Sequence, residues 1–167
     1  MIENAFDPLR SLRTLVRHSV NFVVIGGLGA RLHGSPSVTN DIDVCYERTP
    51  ENLERLAAAL RQLGATLRGV EANVPFRLDA ATLAAGDHFT FSTKAGALDC
   101  IGTPAGVGGY DELAHGAESY EIEGLTVSGA SVDDLIRRKE AAGRPKDLIE
   151  VEVLVALRDE VAERHQR

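Results

Sequence analysis

Apolar positions along the chain fall into two patterns. Short runs and alternations mark strands. Phe22-Val23-Val24-Ile25 is continuously apolar and closes on Gly26-Gly27, as a buried strand does. Asp41-Ile42-Asp43-Val44-Cys45-Tyr46 alternates polar with apolar, the mark of a half-buried strand. Residues 89–92 and 97–101 read as a hairpin around Thr93-Lys94-Ala95-Gly96, and residues 120–127 as a second hairpin around Glu123-Gly124.

Stripes at helical spacing supply the other elements. Asp7-Pro8 opens a helix striped by Leu9, Leu12, Leu15 and Val16. Thr49-Pro50 opens another, striped by Leu53, Leu56, Ala57 and Leu60 and stopped by Gly64. A short helix is expected over 28–33, and two more over 132–142 and 145–161. Residues 66–86 read as a strand, a loop and a short helix, and 102–109 as a glycine-rich loop. The class is α/β (α+β), with a strand-dominated middle and a helical C-terminal end. One domain is expected over 1–167, with a core of about 20–128 and a helical element of about 129–167.

Composition narrows the setting. The 167 residues are 44% hydrophobic and 26% charged, as in a soluble globular protein. No apolar run approaches the roughly 20 residues that span a bilayer, so no membrane partner is expected. The N-terminus lacks a basic stretch followed by an apolar one, so no secretory signal is read there. Two cysteines make no disulfide framework and, without a His/Cys cluster, no zinc site; a cytoplasmic location is expected. Eighteen basic against 25 acidic residues give a net charge of -7. That balance argues against a broad phosphate-gripping surface. It leaves room for a small anionic substrate, above all one held with a bridging metal, and for a transient RNA contact.

The chemistry concentrates on three carboxylates. Asp41 and Asp43, two apart on a strand, share a face, with Ile42 and Val44 on the other. Side-by-side carboxylates repel and call for a cation, and hard oxygen ligands suit Mg²⁺. Asp99, isolated in the apolar strand Leu98-Asp99-Cys100-Ile101, offers a third carboxylate for in-line phosphoryl or nucleotidyl displacement at a two-metal site. An Asp-x-Asp pair alone is common. Its weight comes from Gly26-Gly27 upstream, where backbone N–H groups at a strand-to-helix turn can cradle phosphates.

With these residues the sequence resembles the polymerase-beta-like nucleotidyltransferase superfamily. There an apolar strand ends in Gly-Gly or Gly-Ser, and Asp-x-Asp or Asp-x-Glu follows on the next strand. Asp99 resembles that family's third carboxylate. Lys139-Glu140-Ala141-Ala142-Gly143-Arg144-Pro145-Lys146-Asp147 resembles the Lys…Arg-x-Lys-Asp element of a bacterial branch that includes the nucleotidyltransferase toxins of abortive-infection systems. The resemblance runs from Phe22 to about Leu157. It implies a nucleotidyltransferase-like mixed sheet flanked by helices. It also implies transfer of an NMP from a nucleoside triphosphate to a hydroxyl acceptor, with release of pyrophosphate. Asp41, Asp43 and Asp99 would be the catalytic and metal-binding residues, with Mg²⁺ or Mn²⁺ as cofactor. Gly26, Gly27, Lys139, Arg144, Lys146 and Asp147 would bind the nucleotide. The acceptor classes are tRNA, a protein or a small molecule, and a cognate toxin or antitoxin is the implied protein partner. Two positions depart from the pattern: Gly27 replaces a frequent serine, and Ser37 a frequent arginine.

Helical spacing from Leu135 and Ile136 puts Lys139 on or beside the buried stripe of its helix, and puts Arg137, Arg138 and Glu140 off it. The stripe alone fits a lysine whose stem covers the core as well as one reaching a phosphate; the resemblance favours the latter. Of the five histidines, only His33 is expected near the site, as a helix-end residue. Cys45 and Cys100 read as buried thiols. The alternative function is a non-catalytic binding module that keeps the fold, such as an antitoxin-like partner.

Overall fold

A computed structural model describes residues 5–71 and 73–167; residues 1–4, part of the segment read for a leader, and Ala72 lie outside the described residues. The order is α1 (Pro8–Arg17), β1 (Phe22–Ile25), α2 (Gly26–Leu32), β2 (Asp41–Tyr46), α3 (Pro50–Gln62), β3 (Thr66–Leu67), α4 (Ala80–Ala85), β4 (His88–Thr93), β5 (Gly96–Ile101), α5 (Tyr110–Gly116), β6 (Glu118–Ile122), β7 (Leu125–Gly129), α6 (Val132–Ala142) and α7 (Pro145–His165).

The helix starts follow from side-chain caps. Asp7, Thr49, Asp79 and Ser131 accept the backbone N–H three residues on, opening α1, α3, α4 and α6. Each such cap contributes about 1 kcal/mol. Pro8, Pro50 and Pro145 stand in the first turns of α1, α3 and α7, where a missing N–H costs nothing. Gly143 ends α6 at φ 64°, a conformation that favours glycine.

The seven strands form one mixed sheet in the order β3-β4-β5-β2-β1-β7-β6. β1 is antiparallel to β2 and parallel to β7, and β2 is parallel to β5. Alternation along the strands sends side chains to two cores. On one face Val24, Ile42, Val44, Phe91 and Leu98 pack with Leu12 and Leu15 of α1 and Leu53, Leu56 and Leu60 of α3. On the other, Val23, Ile25, Cys45 and Ile101 pack with Leu113 of α5, Leu135 and Ile136 of α6, and Leu154 of α7. The expected mixed sheet flanked by helices is therefore the architecture found.

Three local expectations shift. The helix expected over 28–33 begins at Gly26, so both glycines lie in its first turn. An unforeseen helix, α5, follows the glycine-rich loop; its one fully buried residue is Leu113, too few to write a stripe. The last helix runs on to His165. Among the described residues, no helix is long and apolar enough to cross a membrane.

Candidate active site

β2 and β5 run side by side with Asp43 opposite Asp99 and Asp41 opposite Ala97. Strand alternation then puts all three carboxylates on the face that carries α5, α6 and α7. Ile42 and Val44, fully buried on the opposite face, pin β2 in that register. One oxygen from each of Asp41, Asp43 and Asp99 lies within 4.8 Å of the others; among the described residues this is the one acidic cluster so arranged.

Each carboxylate is held from a different direction. Thr39 Oγ1 donates to the Asp41 carbonyl at 2.9 Å and to its Oδ1 at 3.3 Å. Arg68 Nη2 donates to Asp99 Oδ1 at 2.7 Å, while Nη1 donates to the Phe91 carbonyl at 3.0 Å. Arg138 Nη2 stands 3.8 Å from Asp43 Oδ2. Burial, the charge of Asp41 and then that of Asp99 push the Asp43 carboxyl up to about 7, with Arg138 opposing. The cluster therefore carries more negative charge than its protein surroundings offset. Three converging hard oxygen donors with a charge deficit fit Mg²⁺ or Mn²⁺.

The two glycines before this cluster let its side chains pack against their backbone. Gly26 has φ +66°, and a Cβ there would stand 2.1 Å from Asp43 Oδ2. A Cβ on Gly27 would meet Thr39 Oγ1 at 3.0 Å. Any side chain at Gly26 would thus displace a carboxylate of the cluster.

The carboxylates open into a cavity of about 460 Å³, lined also by Gly27, Ser37, Thr39 and His88. Glu150 and four cations, Arg138, Lys139, Arg144 and Lys146, complete it. Asp147, fully buried in the first turn of α7, lines an adjoining cavity instead. Asp147 accepts from Arg144 Nε at 2.6 Å, from Arg144 Nη2 at 3.2 Å and from the Arg144 backbone N–H at 3.2 Å. These bonds, with the charge of Lys139 nearby, hold its carboxyl down at about 2. The Lys139 ammonium is 3.0 Å from Glu150 and 3.5 Å from Asp147.

The sequence-derived residues therefore meet. Asp41, Asp43, Asp99, Gly27, Lys139, Arg144 and Lys146 line one cavity, Gly26 stands behind Asp43, and Asp147 anchors Lys139 and Arg144. Other residues were not foreseen. Arg138, placed off the buried stripe by helical spacing, has a side chain only 20% exposed and turns into the cavity. A residue beside the stripe still reaches a cleft that flanks the core, which the stripe alone does not reveal. Arg68 follows β3, and no spacing ties it to Asp99. His88, not His33, lines the cavity, because it opens β4 opposite Ile101. His33 caps the end of α2, with Nε2 2.8 Å from the Ala130 carbonyl. Both cysteines are buried and free; burial pushes the Cys45 thiol up to about 12 and Cys100 up as well, leaving both unreactive.

No protein-family model matches the chain, and no curated protein matches it. Solved structures do share its fold. A Thermotoga maritima protein described as a candidate nucleotidyltransferase aligns at a TM-score of 0.55 and 18% identity, over 93% of each chain. A lincosamide antibiotic adenylyltransferase with bound lincomycin aligns at 0.60 and 12%, over 90% of this chain and 95% of that one. The antibiotic-resistance factor ANT(2″)-Ia, in complex with adenylyl-2″-tobramycin, aligns at 0.51 and 19%, over 95% and 96%.

Proposed function

We propose that this chain is a metal-dependent nucleotidyltransferase. It would move an NMP from a nucleoside triphosphate to a hydroxyl acceptor. The observation that carries the reading is the convergence of Asp41, Asp43 and Asp99 on one face of the sheet, in a cavity that also gathers four cations. Three carboxylates facing four cations suit a substrate that arrives as a metal–polyphosphate.

Asp41, Asp43 and Asp99 would hold Mg²⁺ or Mn²⁺, which when bound supplies charge stabilisation to the phosphate oxygens and lowers the pKa of a coordinated hydroxyl. Thr39 and Arg68 fix the outer carboxylates before substrate arrives, so little reorganisation is left for the reaction. Gly26 and Gly27 let Asp43 and Thr39 close against the start of α2, and would offer their backbone N–H groups to the phosphates. Lys139, Arg144 and Lys146 would add positive charge to the same cavity, with Asp147 holding the first two in place. The acceptor oxygen bonds to the α-phosphorus while the bond to the bridging oxygen of pyrophosphate breaks. The acceptor proton passes to Asp99, whose second oxygen is not taken by Arg68, or to water.

A small hydroxylated acceptor is the narrower reading. It is supported by a net charge of -7, which suits a large nucleic-acid partner poorly, and by fold neighbours bound to lincomycin and to adenylylated tobramycin. The Lys139…Asp147 element supports placement in the abortive-infection branch, where a cognate toxin or antitoxin would be the partner. The test is pyrophosphate release with Mg²⁺ and each nucleoside triphosphate, against lincosamides, aminoglycosides, tRNA and protein acceptors. Release that needs one acceptor and disappears in folded Asp43→Asn protein supports the reading. Wild-type rates in Asp43→Asn would refute it.

A further inference from the structure

The four cations of the cavity are not equivalent. Lys139 is engaged by Glu150 and Asp147, and Arg144 gives Asp147 both a side-chain fork and a backbone bond. Lys146 is exposed. Arg138 differs from all three. Its side chain is four-fifths buried, yet among the described residues its guanidinium makes no hydrogen bond. Among the described residues its one ion-pair partner is Asp43, at 3.8 Å, beyond hydrogen-bond reach.

Such an arrangement is costly unless something else uses the donors. A buried guanidinium presents a planar fork of N–H groups that matches phosphate oxygens two at a time. Arg138 lines the cavity of the three carboxylates and also an adjoining one of about 300 Å³, so its head stands where the two meet. It is set on the buried turn that carries Leu135 and Ile136, so its origin is rigid. A metal held by the three carboxylates would offset their charge and weaken the attraction of Asp43 for Arg138, leaving the N–H fork to an anion in the same cavity.

We infer that Arg138, rather than Lys139, is the principal protein cation for the polyphosphate of the substrate and for the pyrophosphate that leaves. The inference rests on the proposed nucleotidyl transfer and assigns the charge-binding role within it. Lys139 and Arg144 then act mainly through Asp147, holding α6 against the start of α7.

The test uses calorimetric titration of the full chain at saturating Mg²⁺, with inorganic pyrophosphate and the nucleoside triphosphates as probes. A parallel titration uses Mn²⁺ alone. Arg138→Gln should weaken pyrophosphate and nucleotide at least tenfold and leave Mn²⁺ binding equal or tighter. Arg138→Lys, which keeps the charge and loses the fork, should weaken pyrophosphate severalfold, and it carries the test if the Gln variant does not fold. Lys146→Ala should change affinity less than either. A role limited to offsetting the acidic cluster would change Mn²⁺ affinity and leave pyrophosphate affinity at saturating metal untouched; that result overturns the inference alone. Wild-type protein that binds neither pyrophosphate nor any triphosphate overturns the proposed transfer, and this inference with it.

Discussion

Burial and two neighbouring carboxylates push the Asp43 carboxyl up to about 7, against an ordinary value of 3.8. Without metal, the folded protein keeps a proton between those values that the unfolded chain has already lost. Stability from this group is therefore fully present below about 4 and is lost as pH rises through about 7. Asp43→Asn removes the strained charge. In thermal melts with a chelator it should exceed wild type at pH 8 by on the order of 2 kcal/mol, with the gap closing toward pH 4. A lower melting point for the variant at pH 8 would mean the acidic cluster stores no repulsion. Because binding must expel the Asp43 proton, Mn²⁺ affinity of the wild type should rise from pH 6 to pH 8. Gly26 tests the same carboxylate sterically. Gly26→Ala adds about 1–2 kcal/mol of left-handed backbone strain and drives a methyl into Asp43 Oδ2. Metal affinity should fall at least tenfold; unchanged Mn²⁺ binding would separate Gly26 from the site.

At the scale of elements, the junction of α6 and α7 is built around one inaccessible anion. Asp147 closes a capping box with Arg144 and is also within ion-pair range of Lys139. Asp147→Asn should cost about 2 kcal/mol, the scale of a cap plus charge-assisted bonds. With a folded value near 2, that contribution is present above about 4 and lost as pH falls through about 2. Melting curves of wild type and Asp147→Asn should differ at pH 7 and converge near pH 2; equal stability at pH 7 would remove Asp147 from the junction. The strands were legible before the structure because their patterns are local: Phe22-Val23-Val24-Ile25 has one solution, and Asp-x-Asp must place both acids on one face. Thr39, Arg68, Arg138 and His88 were not, since each meets the carboxylates through tertiary contacts that spacing does not encode. Arg68 reaches Asp99 across the edge of the sheet, 31 residues away. The start of α2 was misread because glycine is a poor helix former in isolation. Here Gly26 is required by φ +66° and by the carboxylate behind it.

Across the whole molecule, one mixed sheet separates the work. One face packs α1, α3 and α4 into the larger core and holds β1, β2 and β5 in register. The other packs α5, α6 and α7 and leaves three acids in a cavity facing the junction of α6 and α7. The chain is acidic overall, yet it places four cations around those acids. Four cations against Asp41, Asp43, Asp99 and Glu150 make a locally balanced site in a protein of net charge -7, which supports the proposed metal–polyphosphate substrate. The central claim is tested most directly by calorimetric titration of each nucleoside triphosphate, with and without Mg²⁺, into wild type and Asp41→Asn/Asp43→Asn. The expected result is binding of at least one triphosphate that requires Mg²⁺ and is abolished in the double variant. Binding that persists in the folded double variant, or that ignores Mg²⁺, would contradict it.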